Sequence, residues 1–275
     1  MPSPITTRIF TVANQKGGVG KTTTAVNLAA ALAMGGLKTL VIDLDPQGNA
    51  STAFGIPRDD VEGIYEVITK EKPLRDVALK IPGYPQLVVI PATQSLANAE
   101  VELVPLVARE MRLKKALTSF LAESANNGER FDYIFIDCPP SLGLLTVNAL
   151  VAADELLIPI QCEYYSLEGL TLLLHTVSLI QEHLNPRISL STIVLTMFDG
   201  RTRLANDVAD EVRKHYPSQL IDIPVPRAVR VSEAPSYGQT VMTYDPSSNG
   251  AEAYARIARE IALRGAPSIS SAEVS

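Results

Sequence analysis

The sequence predicts an α/β fold built on a doubly wound, mostly parallel sheet with helices on both faces. Short β-branched runs alternate with longer segments of helical periodicity, which is the pattern of parallel strands joined by crossover helices. Most strand candidates are apolar on both faces, as in a buried parallel sheet. The 275 residues and 46% hydrophobic content are sufficient for one domain with a large core.

The predicted elements alternate along most of the chain. The predicted strands span residues 9–13, 39–43, 87–91, 133–137, 156–160, 188–196 and 220–223. The predicted helices span residues 22–34, 110–124, 144–152, 166–184, 204–216 and 251–263. We predict one domain over residues 1–265 and a flexible tail over 266–275, because the Gly-Ala-Pro-Ser-Ile-Ser-Ser sequence starting at Gly265 is typical of a frayed end.

Composition disfavours several classes of protein. No stretch approaches the roughly 18 consecutive apolar residues that a membrane span needs, and residues 1–10 lack a basic region followed by an apolar run. We therefore expect a cytoplasmic protein. Cys138 and Cys162 have no CxxC spacing, which favours two small buried side chains over a disulfide or zinc site. The net charge of −6 argues against nucleic-acid binding over the whole surface but allows a local patch.

The segment Lys-Gly-Gly-Val-Gly-Lys-Thr-Thr lies between the first predicted strand and helix, where a phosphate-binding loop is expected. Its glycines let backbone N–H groups face phosphate oxygens, and the helix N-terminus adds partial positive charge. Lys21 is predicted to neutralise the β- and γ-phosphates, and the Thr22 hydroxyl to coordinate Mg²⁺. A glycine-rich turn that binds nothing is the disfavoured alternative. The predicted ATP-binding residues here are Lys16, Gly17, Gly18, Val19, Gly20, Lys21, Thr22 and Thr23.

Three aspartates lie at or just after the C-terminal ends of predicted strands. Asp43 and Asp45 lie at the C-terminal end of the second strand, at the edge where open α/β sheets bind ligands, and their spacing of two places them on one face if the strand extends as far as Asp45. For Asp43 in particular, capping of the next turn is a plausible alternative. Asp137 ends an apolar run, as in a Walker B strand, and is predicted to hold Mg²⁺ through a water molecule. The stiff Pro139-Pro140 pair then carries the next turn toward the γ-phosphate.

A second lysine at the start of the loop gives a more specific signal. The stretch from Ala13 to Thr24 resembles the deviant Walker A signature of the ParA/MinD class of P-loop NTPases. The resemblance implies that Lys16 reaches across a dimer interface to phosphates held by the other subunit, although spacing alone leaves open a solvated loop lysine. It also implies that Asp45 orients the attacking water and that Asp43 supports the metal shell.

The similarity extends over nearly the whole chain and is greatest to chromosomal ParA proteins of the Soj group. It includes the Thr-Met-Phe-Asp-Gly-Arg-Thr stretch that begins at Thr196 and the Ser-Glu-Ala-Pro-Ser stretch that begins at Ser232. The resemblance implies a partition ATPase with weak intrinsic, Mg²⁺-dependent hydrolysis, whose ATP-bound homodimer binds double-stranded DNA non-specifically on the nucleoid. The resemblance also implies a ParB-type centromere-binding partner, which stimulates hydrolysis and thereby resets the ATPase. The adenine is expected between Met197 and Pro226.

A local excess of basic residues offers a candidate DNA surface. Residues 187–230 contain seven basic and five acidic residues, a charge of +2 in a chain of −6. Such a patch can hold phosphates without sequence preference. The resemblance ranks Arg201 and Arg230 first, with Arg203 and Arg227 beside them. The charge excess is small, however, and arginines commonly decorate solvated helix faces.

Two related classes provide alternatives. A nitrogenase iron protein shares this loop but holds an iron–sulfur cluster with two cysteines per subunit, and no glycine-flanked cysteine stands near residue 100. A MinD-like membrane-associated positioning ATPase ends in an amphipathic targeting helix. Here the polar face of the last predicted helix has mixed charge rather than the basic character suited to anionic lipid, so we predict no membrane association. Its charged residues are Glu252, Arg256, Arg259 and Glu260.

Overall fold

The computed structural model describes residues 1–163 and 166–266. Within these residues one eight-stranded sheet forms the centre of the protein. Its strands are β1 (Arg8–Val12), β2 (Thr39–Asp43), β3 (Leu79–Ile81), β4 (Tyr84–Ile90), β5 (Tyr133–Asp137), β6 (Glu155–Gln161), β7 (Ser189–Thr196) and β8 (Leu220–Ile221). The strand order is β3-β4-β2-β5-β1-β6-β7-β8, and every pairing is parallel except β3 with β4. The predicted doubly wound, mostly parallel sheet is confirmed.

Helices connect the strands in the described part of the chain. They are α1 (Lys21–Met34), α2 (Asn49–Ala53), α3 (Ile64–Lys70), α4 (Ala99–Leu103), α5 (Arg112–Asn126), α6 (Leu144–Ala152), α7 (Ser166–His183), α8 (Arg203–His215), α9 (Val229–Glu233), α10 (Val241–Tyr244) and α11 (Asn249–Gly265). Short 3₁₀ segments include Ala234–Tyr237, directly after α9. The predicted flexible tail lies outside the described residues except for residue 266.

The sheet separates two hydrophobic cores. Along β2, Leu40 and Ile42 belong to the core covered by α3, α5, α6, α7 and α8, whereas Val41 belongs to the core covered by α1, α2, α10 and α11. This alternation follows from the two-residue period of a strand, and it explains why the strands are apolar on both faces. Cys138 and Cys162 are both buried, as predicted.

The helix α11 packs against α1, the helix that begins at the phosphate loop. Its apolar residues Tyr254, Ile257, Ala258 and Ile261 are all buried, and the Tyr254 hydroxyl lies 3.4 Å from the Thr24 hydroxyl of α1. Nearby, the buried Asn27 side chain of α1 accepts a hydrogen bond from the Val241 N–H of α10 (2.9 Å). Segments from late in the chain therefore cover the helix that holds the nucleotide site. In the described ranges, no helix has both the length and the apolar character needed to cross a membrane.

Candidate functional site

The loop between β1 and α1 has the conformation expected for a phosphate-binding loop. Gly18 and Gly20 adopt φ angles of +73° and +86°, in the left-handed region that favours glycine. The Thr196 hydroxyl at the end of β7 donates to the Val19 carbonyl (2.8 Å) and anchors the loop to the sheet. The loop leads directly into the N-terminus of α1, where backbone N–H groups and the helix dipole attract an anion.

A cavity of about 690 Å³ opens beside the loop. Its size is typical of small-molecule and cofactor sites. The predicted site residues that line it are Gly17, Gly18, Gly20, Lys21, Thr22, Thr23, Asp45, Met197, Pro226 and Arg227. The fold thus brings together residues that are widely separated in the sequence. Of the other loop residues, Val19 is buried behind the loop.

Asp137 is a buried carboxylate at the end of β5, and it interacts with the cavity residues Thr22 and Lys21. The parallel pairing of β2 with β5 places Asp43 directly opposite Asp137. Asp137 is fully buried, and neither of its carboxylate oxygens has a hydrogen-bond partner among the described residues. Burial raises the pKa of Asp137 well above its usual range, and the Asp43 and Asp45 charges raise it further, while Thr22 and Lys21 act in the opposite direction.

These features fit a magnesium ion near Asp137 and the Thr22 hydroxyl. A buried carboxylate without hydrogen bonds calls for a compensating cation. Nowhere in the described ranges do three His, Cys, Asp or Glu side chains form a metal-binding group on their own. A magnesium ion held here would therefore take its remaining ligands from water and phosphate, as Mg²⁺ commonly does.

Asp45 and Asp43 differ in their surroundings although both are buried. Asp45 lines the cavity, and its Oδ1 atom accepts a hydrogen bond from the Gln47 N–H (2.9 Å). Asp43 lies deeper, where burial raises the pKa of its carboxyl to about 6 even though hydrogen bonds from Ser51 lower it. Asp45 is thus the carboxylate of this pair that lines the nucleotide cavity.

The two lysines of the loop occupy different positions. Lys21 is 6% exposed and its Nζ lies 3.4 Å from the Lys16 carbonyl oxygen. Burial lowers the pKa of Lys21, an effect that the Asp137 and Asp45 charges oppose. Lys16 does not line the cavity of its own chain; its ammonium group pairs with Glu163 (2.5 Å) at the surface. Lys21 therefore lines the cavity of its own chain, whereas the Lys16 ammonium group is directed toward Glu163.

Met197 and Pro226 also line the cavity, and both come much later in the sequence than the phosphate loop. Met197 adopts a φ of +49°, which is uncommon for a residue other than glycine. The next residue, Phe198, donates its N–H to the Val225 carbonyl (2.9 Å) and forms an isolated bridge with Pro226. These bonds hold the β7 end against the segment after β8, where the adenine is expected.

Comparison with known proteins establishes the family. Residues 7–190 match the family model described as an AAA domain. Over 259 residues the chain is 49% identical to the sporulation initiation inhibitor protein Soj of Bacillus subtilis, a match that covers 94% of this chain and 99% of that protein. It is 50% identical over 261 residues to the chromosome partitioning protein ParA of Myxococcus xanthus, covering 94% and 89% of the two chains. The chain belongs to the ParA/Soj family of chromosome-partitioning ATPases.

Solved structures agree with this ParA/Soj assignment at the level of fold. A cobyrinic acid a,c-diamide synthase from Mycobacterium smegmatis, solved with bound ADP and magnesium, has a TM-score of 0.78 and 34% identity over 94% of each chain. The cell division ATPase MinD of Pyrococcus furiosus has a TM-score of 0.75 and 25% identity, covering 94% of this chain and 99% of that one. The higher identity to Soj and ParA favours the partition assignment over the MinD-like alternative.

The arginines proposed for DNA lie at one edge of this ParA/Soj fold. Arg201 and Arg203 follow β7, Arg227 and Arg230 follow β8, and the Phe198–Pro226 bridge brings the two segments together. Arg201 and Arg203 have side chains that are 90% and 95% exposed. Three of the four arginines are paired with acidic neighbours: Arg201 with Asp199, Arg203 with Asp207, and Arg230 with Glu233 and Asp245. Arg227 also lines the nucleotide cavity.

Several residues of the ParA/Soj site were not predicted from the sequence. Glu163 pairs with Lys16 across 147 residues, and Tyr254 lines the cavity from α11. Ser51 binds Asp43 from the short helix α2. A lone glutamate, tyrosine or serine carries no motif, so only the folded arrangement identifies these contacts.

Proposed function

We propose that this ParA/Soj ATPase is a switch in which two subunits dimerise around ATP, bind DNA without sequence preference and separate after hydrolysis. The observation that carries the proposal is the convergence of Lys21 and Asp45 on one cavity beside the phosphate loop, with the buried Asp137 carboxylate interacting with both and Lys16 directed away from the cavity. As part of the same proposal, the protein is cytoplasmic and nucleoid-associated and has a ParB-type centromere-binding partner.

Each residue has a distinct role in the proposed reaction. The Lys21 ammonium group, buried beside two carboxylates, exchanges them for the phosphate oxygens of ATP. Asp45 accepts a hydrogen bond from the attacking water and orients it toward the γ-phosphate, since phosphoryl transfer needs positioning more than a strong base. Magnesium, when bound near Thr22 and Asp137, supplies charge neutralisation at the phosphates.

Intrinsic hydrolysis should be slow. Among the described cavity-lining residues the arginine is Arg227, which stands beside Met197 and Pro226 at the proposed base-binding end. No arginine of the described lining is therefore placed to stabilise charge on the transferring phosphoryl group, a contribution that is worth about 10³–10⁵ in rate where it exists. This expectation agrees with a switch that waits for a partner.

Dimerisation is expected to depend on ATP. Two facing phosphate loops bring two triphosphates close together, and each subunit's Lys16 and magnesium offset the repulsion between them. In this chain the Lys16 ammonium group already pairs with Glu163, so Lys16 must leave that partner in order to reach the opposite subunit. An exposed ion pair contributes only about 0–1 kcal/mol, which a triphosphate can outcompete.

Replacing Asp45 by Ala tests the proposed reaction. The variant should bind Mg·ATP and accumulate as an ATP-bound dimer, because nothing orients the water. Phosphate release and light scattering would be compared with the wild type and with Asp76→Ala, a control at an exposed aspartate that pairs only loosely with Arg75 (3.7 Å). Wild-type turnover in Asp45→Ala would remove Asp45 from this role.

A further inference from the structure

Both ends of the segment from Asp45 to Ser51 are hydrogen-bonded to one carboxylate, that of Asp43. The Asp43 Oδ1 atom accepts a hydrogen bond from the Asp45 N–H (3.3 Å), at the start of the segment. The Asp43 Oδ2 atom accepts one from the Ser51 N–H (2.7 Å), at its end. Both oxygens of Asp43 are therefore occupied by the chain that carries Asp45, and the position of this carboxylate sets both ends of that chain.

Ser51 is the residue that fixes the Asp43 carboxylate in turn. Its hydroxyl donates a second, short hydrogen bond to Asp43 Oδ2 (2.6 Å) and accepts one from the Ala92 N–H (3.0 Å). Ser51 is fully buried, and Ala92 follows β4, the strand next to β2. The serine hydroxyl thus joins three parts of the fold: the end of β2, the helix α2 and the segment after β4.

The neighbouring aspartate shows that this arrangement is specific to Asp43. Asp137 stands opposite Asp43 in the parallel sheet, yet its two oxygens have no hydrogen-bond partner in the described residues. Asp137 is therefore available to a cation, whereas Asp43 is committed to the backbone of the loop. The two carboxylates at this sheet edge divide metal binding and loop positioning between them.

We propose that Ser51 is a positioning residue for ATP hydrolysis, acting through Asp43 to hold the loop that places Asp45 beside the γ-phosphate. The proposal depends on the role of Asp45 given above. A hydrogen bond to a charged group in a buried site is among the stronger ones, and its loss lets the loop sample other positions. A small displacement of the water-orienting group costs rate more than it costs binding.

The test compares Ser51→Ala with Thr52→Ala in the full-length chain. Thr52 is the next residue of α2, and within the described residues its hydroxyl donates to the carbonyl of Gly48, the N-cap of the same helix (3.0 Å), so its loss is a control for removing a hydroxyl from α2. Ser51→Ala should lower kcat for Mg·ATP about tenfold, the order expected for losing a hydrogen bond to a charged group. Its KM and the affinity for a fluorescent ATP analogue should stay within about twofold of wild type, because a loss confined to the transition state leaves substrate binding unchanged.

Ser51→Thr supplies the rescue, because it restores the hydroxyl and should recover most of kcat. The proposal is overturned if Ser51→Ala turns over at the wild-type rate, if it loses nucleotide affinity in step with kcat, or if Thr52→Ala is equally slow. It is also overturned if Ser51→Thr melts like the wild type but stays as slow as Ser51→Ala. Failure of the Asp45 role is distinguished separately, by wild-type turnover in Asp45→Ala.

Discussion

Arg201 and Asp199 form a two-point ion pair on the loop between β7 and α8, with Nε–Oδ1 and Nη2–Oδ2 distances of 2.8 and 2.7 Å. Hydrogen bonds from Arg201 lower the pKa of Asp199 to about 2, so the carboxylate is ionised at neutral pH. A DNA phosphate must compete with this carboxylate for the same guanidinium face. The pair therefore weakens the proposed DNA contact.

Removing that competitor should strengthen DNA binding. We expect Asp199→Asn to raise the affinity of the ATP-bound protein for duplex DNA about threefold, the scale of an exposed ion pair. Fluorescence anisotropy with a labelled duplex, with ATP and with ADP, measures the change. Equal or weaker binding by Asp199→Asn would show that Arg201 does not contact phosphate.

Reversing the charge of the two leading arginines should have the opposite effect. Arg201→Glu combined with Arg230→Glu is expected to abolish DNA binding and leave ATP-dependent dimerisation intact. Arg187→Glu is the matched control, because Arg187 is similarly exposed but precedes β7, at the opposite end of that strand from Arg201, where it pairs with Asp154 (3.1 Å). If Arg187→Glu reduces binding as strongly, the DNA surface lies elsewhere.

The salt dependence of binding should report the number of contacts. If each subunit neutralises about two phosphates, the dimer neutralises about four, and log affinity should fall against log salt with a slope near −3.6. Raising the salt concentration from 50 to 200 mM would then weaken binding roughly 150-fold. A slope near zero would contradict a phosphate-based interface, and random-sequence duplexes should give the same slope because phosphate contacts carry no sequence information.

Gly17 allows the dimer model to be tested apart from folding. Apart from its two chain neighbours, a Cβ at Gly17 would meet no described atom of its own chain within 4 Å, and the Gly17 φ is not in the left-handed region. Gly17→Val should therefore melt like the wild type and bind ATP as a monomer, but fail to dimerise because the added side chain meets the opposite subunit. Light scattering with ATP and ADP checks this. An ATP-dependent dimer of Gly17→Val would contradict the facing-loop geometry.

We expect the Asp137 carboxylate, which is proposed to hold magnesium, to lower the stability of the nucleotide-free protein. Replacing this buried carboxylate by Asn removes one of the three clustered negative charges of Asp43, Asp45 and Asp137, so the nucleotide-free variant should melt about 2–4 °C higher, the shift that about 1 kcal/mol produces in a large domain. Burial raises the folded-state pKa of Asp137, so the wild type loses stability as pH rises above the unfolded-state pKa, and the variant should lack this loss.

The same variant should lose the stabilisation that Mg·ATP gives the wild type. Asp132→Asn is the control, because Asp132 is also buried but accepts hydrogen bonds from the Lys38 N–H (2.8 Å) and Arg130 (3.0 Å). Its replacement should lower the melting temperature. Differential scanning fluorimetry with and without Mg·ATP distinguishes the two cases, and a lower melting temperature for nucleotide-free Asp137→Asn would contradict the argument.

Much of the fold could be predicted because its signals are local. Apolar strands and glycine spacing are written into short stretches, so the phosphate loop and the strand ends at Asp43 and Asp137 were placed correctly. The edge strand β3 was not predicted, because three residues are too few to show a period. The short helices α2, α3 and α4 were missed for the same reason.

Long-range contacts at the site could not be predicted. Lys16 and Glu163 are 147 residues apart in the sequence, and no motif indicates that the two are neighbours in the fold. The left-handed backbone of Met197 is imposed by bonds of Phe198 to the segment after β8 rather than by its own side chain. Such features arise only when distant parts of the chain are packed together.

The packing of α11 on α1 has a consequence for how the protein is made. Tyr254, which lines the nucleotide cavity, leaves the ribosome 230 residues after Thr24, its neighbour in α1. Until then the apolar face of α1 that α11 covers stays open, and the cavity lacks one wall. A nascent chain of this protein therefore carries a complete phosphate loop without a complete nucleotide site until α11 has been synthesised, which postpones ATP capture to that point.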